Sequence, residues 1–180
     1  MLEKAYFIYK KRKMGNALFD PKTMGNFRKA LLNGFTFNAG LAAKLPMAFI
    51  SGCRITELNE EQCKVTIPYR WLNNNPFGTT YWAVLGMAAE MASGAILLMY
   101  GYKSKPSIST FVIGCESTFN KRALTKVTFV CDEGLAIKEA VIKAIETGEA
   151  QTYQTTTKGY DENGVVVNEW KFTWGIKARK

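Results

Sequence analysis

The chain has 180 residues, 47% hydrophobic and 22% charged, which suits one folded domain with room for an extra element. It contains no histidine. That excludes, within one chain, a Ser-His-Asp triad, a Cys-His dyad, a His-ligated zinc and a histidine proton shuttle, and leaves acid–base work near neutral pH to a carboxylate, Lys, Tyr, Cys or an activated water.

The net charge of +9 is uneven. Residues 1–48 hold nine basic residues and two acids, so they carry +7 and the rest of the chain only +2. Such an arm is either a solvated helix face or a surface for phosphate, whether nucleic acid, lipid headgroup or a nucleotide-bearing ligand. The first residues, with Lys4, Lys10, Lys11, Arg12 and Lys13, show no long apolar run or cleavage site, so no signal peptide and a cytoplasmic location are expected. Cys53, Cys63, Cys115 and Cys131 have no CxxC or zinc-ribbon spacing. All four fall in strand-like alternation, where Cys packs as a small hydrophobe. No metal and no cofactor are expected.

Asp20-Pro21 reads as an N-cap followed by proline at the first helical position. Met24, Phe27, Leu31 and Phe35 follow at helical spacing, with a break or stop at Asn33-Gly34. A second short helix is expected from about Thr36 to Lys44. From Phe49 the period changes to two: Cys53 and Ile55, then, after the turn at Asn59, Glu60 and Glu61, Cys63, Val65, Ile67 and Tyr69. The run from Trp71 to Gly78 is a loop by its Asn, Pro and Gly content.

Between Tyr81 and Tyr100 lie twenty residues with one charge, Glu90. As a helix this run is roughly 30 Å long. After it, Phe111, Ile113, Cys115 and Phe119 alternate on one face, and Val127, Phe129 and Cys131 form a further strand. A short helix near 135–147 carries Leu135, Val141 and Ile145 inward and closes at Gly148. A Thr-rich strand from Glu149 to Gly159 turns at Asn163-Gly164 into a last strand with Val166, Trp170, Phe172, Trp174 and Ile176 on one face. The order is therefore a basic helical arm over 1–48, then a domain over 49–180. That domain has two strands, a long apolar helix and four more strands, making one six-stranded sheet.

A helix apolar all round is either buried or membrane-spanning. Glu90 at its middle costs roughly 2.5–3.5 kcal/mol in a bilayer, and the flanking strands read as one sheet, so no transmembrane segment is expected. Buried instead, Glu90 has a raised pKa and is either a carboxylate bonded to backbone or a general acid or base in a pocket. Gly86 and Gly94 lie one turn to either side and Ser93 at i+3, leaving either a bare strip for a flat substrate or a close-packing face. The helix start after Asn75-Pro76-Phe77-Gly78, with Thr79 as a cap, offers free N–H groups to a developing oxyanion.

The run Asn75-x-x-Gly78-x-x-Tyr81-Trp82-Ala83, with Ala89-Glu90 following, resembles the hot-dog-fold acyl-coenzyme A thioesterases of the phenylacetate-pathway type. Their pattern is Asn-x-x-Gly-x-x-His-Gly-Gly, with Asp or Glu seven residues after the second Gly, and the spacing agrees without a gap. Tyr81, Trp82 and Ala83 stand in place of His-Gly-Gly. Ser117-x-Phe119 and Lys121-Arg122 also resemble the family's strand after the central helix.

The resemblance implies an α+β hot-dog fold, a mostly antiparallel sheet wrapped around a long central helix, here in a helix-armed branch beside the thioesterases. It implies hydrolysis or binding of acyl-coenzyme A or a related acyl thioester at a dimer-interface pocket. Glu90 would act as base or nucleophile, the Ala83 N–H would polarise the carbonyl and Asn75 would orient water or substrate. Gly78, Tyr81, Trp82, Gly86, Ser93 and Gly94 would line the substrate, with Lys121 and Arg122 on the nucleotide phosphates. A homodimer or dimer of dimers is expected, without a nucleic-acid partner. The rival readings are a catalytically silent acyl or lipid binder, and a membrane-surface or nucleic-acid-associated protein that uses the basic arm.

Overall fold

Local capping sets the arm. In the computed structural model, which describes residues 18–179, the Asp20 carboxylate accepts from the N–H of Lys22 and of Thr23, and Pro21 opens α1 (Pro21–Leu32). Lys4, Lys10, Lys11, Arg12 and Lys13 lie outside the described residues. Helix α1 buries Met24, and Phe27 packs on Tyr102 with ring centroids 4.8 Å apart. Asn33 ends α1 and caps α2 (Gly34–Lys44) through Oδ1, which accepts from Thr36 N at 3.0 Å. That break turns the chain, so Phe35 leaves the apolar stripe of α1 and stands exposed, while α2 buries Phe37 and Leu41. A third helix, α3 (Pro46–Ser51), closes at Gly52 with φ +75°. Residues 49–51 are thus helical, and the first strand starts only at Arg54.

The sheet is β1 (Arg54–Leu58), β2 (Cys63–Ile67), β3 (Ile108–Phe119), β4 (Val127–Cys131), β5 (Gln151–Tyr160) and β6 (Val166–Ala178). Its spatial order is β1-β2-β4-β5-β6-β3 and every pairing is antiparallel. The sheet wraps the central helix α4 (Trp82–Gly101). By length and composition α4 could cross a membrane. Here it is sheathed by Val65 and Ile67, Val127 and Phe129, and Trp170, Phe172, Trp174 and Ile176 from the inner face of the sheet. Each large apolar side chain buried there contributes about 1.5–3 kcal/mol. Tyr100, at the end of α4, donates its hydroxyl to Glu60 O at 3.0 Å and packs on Phe19 of the arm.

Three details differ from the sequence pattern. A bulge between Val112 and Gly114 absorbs one residue of β3. Phe111 therefore pairs with Gly175 on the outer face, whereas Cys115 and Phe119 pair with Phe172 and Asn168 on the inner side, so no single face holds all four residues. Cys115 is exposed because β3 is the sheet edge, while Cys53, Cys63 and Cys131 are buried, all four being free thiols. In α5 (Gly134–Thr147) the inward set is Ile137, Val141 and Ala144. Gly134 backs onto the Glu60–Glu61 backbone so closely that a Cβ would lie 2.3 Å from Glu60 O. This fixes the helix rotation, and Leu135 points to solvent.

Candidate active site

The loop before α4 is built by two asparagines. Asn73 is buried, and its Nδ2 donates to Ser51 O at 2.9 Å and Pro68 O at 2.8 Å, which ties the loop to α3. Asn75 Oδ1 accepts from Phe77 N, Thr79 N and Thr79 Oγ1 at 3.0, 3.2 and 3.1 Å. Its acceptor is thereby spent on its own turn. Gly78 completes that turn at φ +69°, a conformation that favours glycine, and its carbonyl accepts from Tyr69 OH. Thr79 does not cap α4. The N-cap position is Tyr81, whose N–H donates to Asn73 O at 2.7 Å, and no side chain caps the helix. The first N–H groups of a 20-residue helix are therefore left for solvent or a ligand.

Beside that terminus lies a cleft of about 540 Å³ lined by Asn75, Thr79, Thr80, Trp82, Leu85 and the segment from Phe119 to Ala123. Lys121 and Arg122 stand at its wall, and no acid lines it. The Arg122 guanidinium donates to Phe77 O, fixing the loop over the cleft. Thr80 is buried and its Oγ1 has no hydrogen-bond partner among the described residues. Trp82 is half-exposed at the cleft, its ring edge-on to Tyr81. This arrangement can hold a group bearing negative charge, through helix dipole, free N–H groups and two cations.

Glu90 stands apart from that cleft. It lies two turns beyond Ala83, about 10 Å along α4. With Ala83 and Met87 it forms the partly open flank of the helix, which continues to an exposed Leu98. Its carboxylate makes no hydrogen bond or ion pair among the described residues, and burial pushes its pKa above the ordinary carboxylate value.

The glycines beside it are not a bare strip. A Cβ at Gly86 would lie 2.8 Å from the Trp170 ring, and one at Gly94 would lie 3.3 Å from both the Trp174 ring and Glu90 Oε1. They are the seats of two indoles. Ser93 is likewise buried. It accepts from Trp174 Nε1 at 3.1 Å and donates to Glu90 O at 3.2 Å.

Residues 35–176 match the profile of DUF4442, a domain of unknown function. The chain belongs to the DUF4442 family. No curated protein matches the sequence. Among solved structures, this DUF4442 chain is similar to a protein of unknown function from Pseudomonas aeruginosa described as a probable thioesterase. The TM-score is 0.68 at 21% identity, over 81% of this chain and 96% of that one. It is also similar to a thioesterase from Haemophilus influenzae, with TM-score 0.60 at 15% identity over 80% and 90% of the two chains. A protein of unknown function from Chlorobaculum tepidum gives 0.68 at 13% identity over 83% and 99%. At these identities the likeness is one of fold: the DUF4442 chain is a hot-dog domain, a six-stranded antiparallel sheet around a central helix.

Within one DUF4442 chain, then, the structure brings Asn75, Trp82, Lys121 and Arg122 together and leaves Glu90 on a separate open flank. Thr80, Leu85 and Asn120 were not singled out from sequence. Only Thr80, a hydroxyl next to the motif, carried any signal there.

Proposed function

We propose that this protein is a thioesterase-like enzyme acting on acyl-coenzyme A or a related acyl thioester, at a pocket completed by a second copy of the chain. The observation that carries the reading is Glu90: an unpaired, largely buried carboxylate with a raised pKa on an open helix flank, at the position the resemblance gives to the catalytic acid. Glu90 takes a proton from water. The hydroxide attacks the thioester carbon, and the Ala83 N–H at the uncapped start of α4 in the second copy holds the developing oxyanion. The C–S bond then breaks, and the thiolate leaves with the proton held by Glu90. Lys121 and Arg122 face the nucleotide phosphates. Asn75 shapes the loop and acts on the substrate through it.

A second copy supports this geometry because β3 is a twelve-residue edge strand with Phe111, Val112, Ile113 and Phe119 exposed. A partner pairing there would cover that edge and bring the start of its own α4 toward Glu90. No step needs a cofactor, and the proposed compartment is the cytoplasm.

A specific observation favours one alternative. Trp82 lines the cleft where the resemblance expects glycine, which suits an acyl-binding protein without turnover. Hydrolysis of a panel of acyl-coenzyme A esters of different chain length, followed by release of free thiol, separates the two. Turnover that falls on Glu90→Gln supports the enzyme. Saturable binding with no turnover on any ester supports the silent binder. Turnover unchanged in Glu90→Gln removes Glu90 from the mechanism.

A further inference from the structure

At the end of the molecule formed by β1 and β2 lies an apolar surface that the hydrolytic reading does not use. Helix α3 and the turn at Trp71–Asn73 are sewn together: Arg70 donates to Ile50 O, and Asn73 donates to Ser51 O. Phe77 is held nearby, since Tyr69 OH donates to Gly78 O and Arg122 to Phe77 O. On these joined pieces Trp71 is 85% exposed, Phe77 79% and Met47 67%, with Phe49, Ile50 and Leu72 also open. Taking about 150–250 Å² for a large side chain, the six expose roughly 700 Å². The largest patch on a typical monomer is about 300–600 Å².

The chain that carries the patch is basic, and Arg70 and Arg122 are placed at it by their bonds to Ile50 O and Phe77 O. Segments 21–56, 62–89 and 117–131 hold ten Lys or Arg and no Asp or Glu. Lys64 and Lys126 pair with Glu57 and Glu162 and Lys22 lies beside Asp20, while the other seven make no ion pair among the described residues. In the sheet order the exposed edge strand β3 lies five positions from β1.

We infer that this surface docks the protein onto an anionic lipid bilayer. Met47, Ile50, Trp71, Leu72 and Phe77 would enter the interfacial layer, with Lys44, Arg54 and Arg70, which flank α3 and the Trp71 turn in sequence, against acidic headgroups. A mixture of aliphatic and aromatic side chains within a basic surround is the chemistry of an interfacial anchor. Trp71, Phe77 and Phe49 suit either occupant, but Met47, Ile50 and Leu72, half of the patch, give a nucleic-acid base nothing to stack on, which sets the bilayer ahead of a single strand. The docked cleft beside Trp82 would then open near the surface where long acyl chains reside. The inference is independent of turnover: a chain that binds vesicles and hydrolyses nothing satisfies it.

The test is co-sedimentation with phosphatidylcholine vesicles, with and without about 30% phosphatidylglycerol. The protein is expected to pellet with the anionic vesicles only, and less at high salt. The pairs Trp71→Ser with Leu72→Ser, and Met47→Ser with Ile50→Ser, should each lower the bound fraction at least tenfold while far-ultraviolet circular dichroism stays unchanged. Should a pair fail to fold, quenching of tryptophan fluorescence by brominated lipid is compared between wild type and Trp71→Phe: quenching lost in Trp71→Phe supports docking through this surface, and no quenching, or equal quenching in both, overturns the inference. It is also overturned by no binding to anionic vesicles, by folded variants that bind like wild type, by an oligothymidine bound through the same residues, or by variants whose only change is a smaller solution mass, which would make the occupant a second copy.

Discussion

Replacing Gly86 by Ala tests whether the central helix is a seat for tryptophan or a floor for substrate. A Cβ there would stand 2.8 Å from one atom of the Trp170 ring and 3.0 Å from the next. The ring has little room to retreat. It stacks on Phe172 with centroids 5.9 Å apart and planes 3° apart, meets Phe119 edge-on at 5.5 Å, and donates its Nε1–H to Asn168 Oδ1 at 3.0 Å. Overpacking of this kind costs about 1–3 kcal/mol. Alanine returns about 0.5–1 kcal/mol through helix propensity. The expected net loss is about 1–2 kcal/mol, a fall in Tm of roughly 3–6 °C for a chain of this size.

Two other helical glycines calibrate the number. A Cβ at Gly94 meets its neighbours at 3.3 Å, and one partner is the movable end of Glu90, so Gly94→Ala should be near neutral. At Gly25 nothing lies within 4 Å, and Gly25→Ala should raise stability by about 0.5–1 kcal/mol. Thermal unfolding followed at 222 nm ranks the three. A Gly86→Ala protein as stable as Gly25→Ala would refute the seating of Trp170 on α4 and restore the open strip.

Glu90→Gln should lower thioester turnover by roughly 100-fold or more in the free-thiol assay, since it removes the base and keeps the size. Burial raises the Glu90 pKa above its unfolded value near 4.5, so this group's contribution to stability is full at lower pH and fades as pH rises through the raised value. Activity from an ionised base rises over the same window, so pH profiles of turnover and of wild-type unfolding should run in opposite directions, and Glu90→Gln should flatten the second. Asn75→Ala removes an acceptor shared by three donors and should cost about 1–2 kcal/mol in urea unfolding, with KM affected through the loop. Light scattering at micromolar concentration should give at least twice the 20.2 kDa chain mass, and a clean monomer would remove the shared pocket.

Element type was legible wherever periodicity was long and unbroken. The twenty residues around Glu90, the alternation of Cys63, Val65 and Ile67, and the Asn163-Gly164 turn each specify their structure locally. What escaped depends on partners distant in sequence. The bulge in β3 answers to its pairing with β6, so alternation of Phe111 with Cys115 could not reveal that they face opposite ways. The rotation of α5 is set by the Glu60–Glu61 backbone meeting Gly134, which leaves Leu135 outside despite its apolar side chain. Phe49, read as the start of the alternation, lies in a helix, because six residues carry too few turns to show a period. At the site, the motif located the loop and the helix start, whereas the roles of Gly86, Gly94 and Ser93 are written by Trp170 and Trp174, about eighty residues away.

The place of β3 in the sheet also fixes the order in which the molecule can be finished. Phe119 meets Asn168 and Ile108 meets Ala178, so the partners are 49 to 70 residues apart and β3 has no other neighbouring strand among the described residues. At roughly 5–20 residues per second, β3 waits about 2–14 s on the ribosome for its mate to be made. During that time its apolar side chains are uncovered, and so is the flank of α4 that Trp170, Phe172 and Trp174 will sheathe. The nascent chain is thus most prone to aggregate just before its last thirteen-residue strand arrives, and a stop codon ahead of Val166 would remove that strand, leaving β3 without its partner and β5 paired with β4 alone.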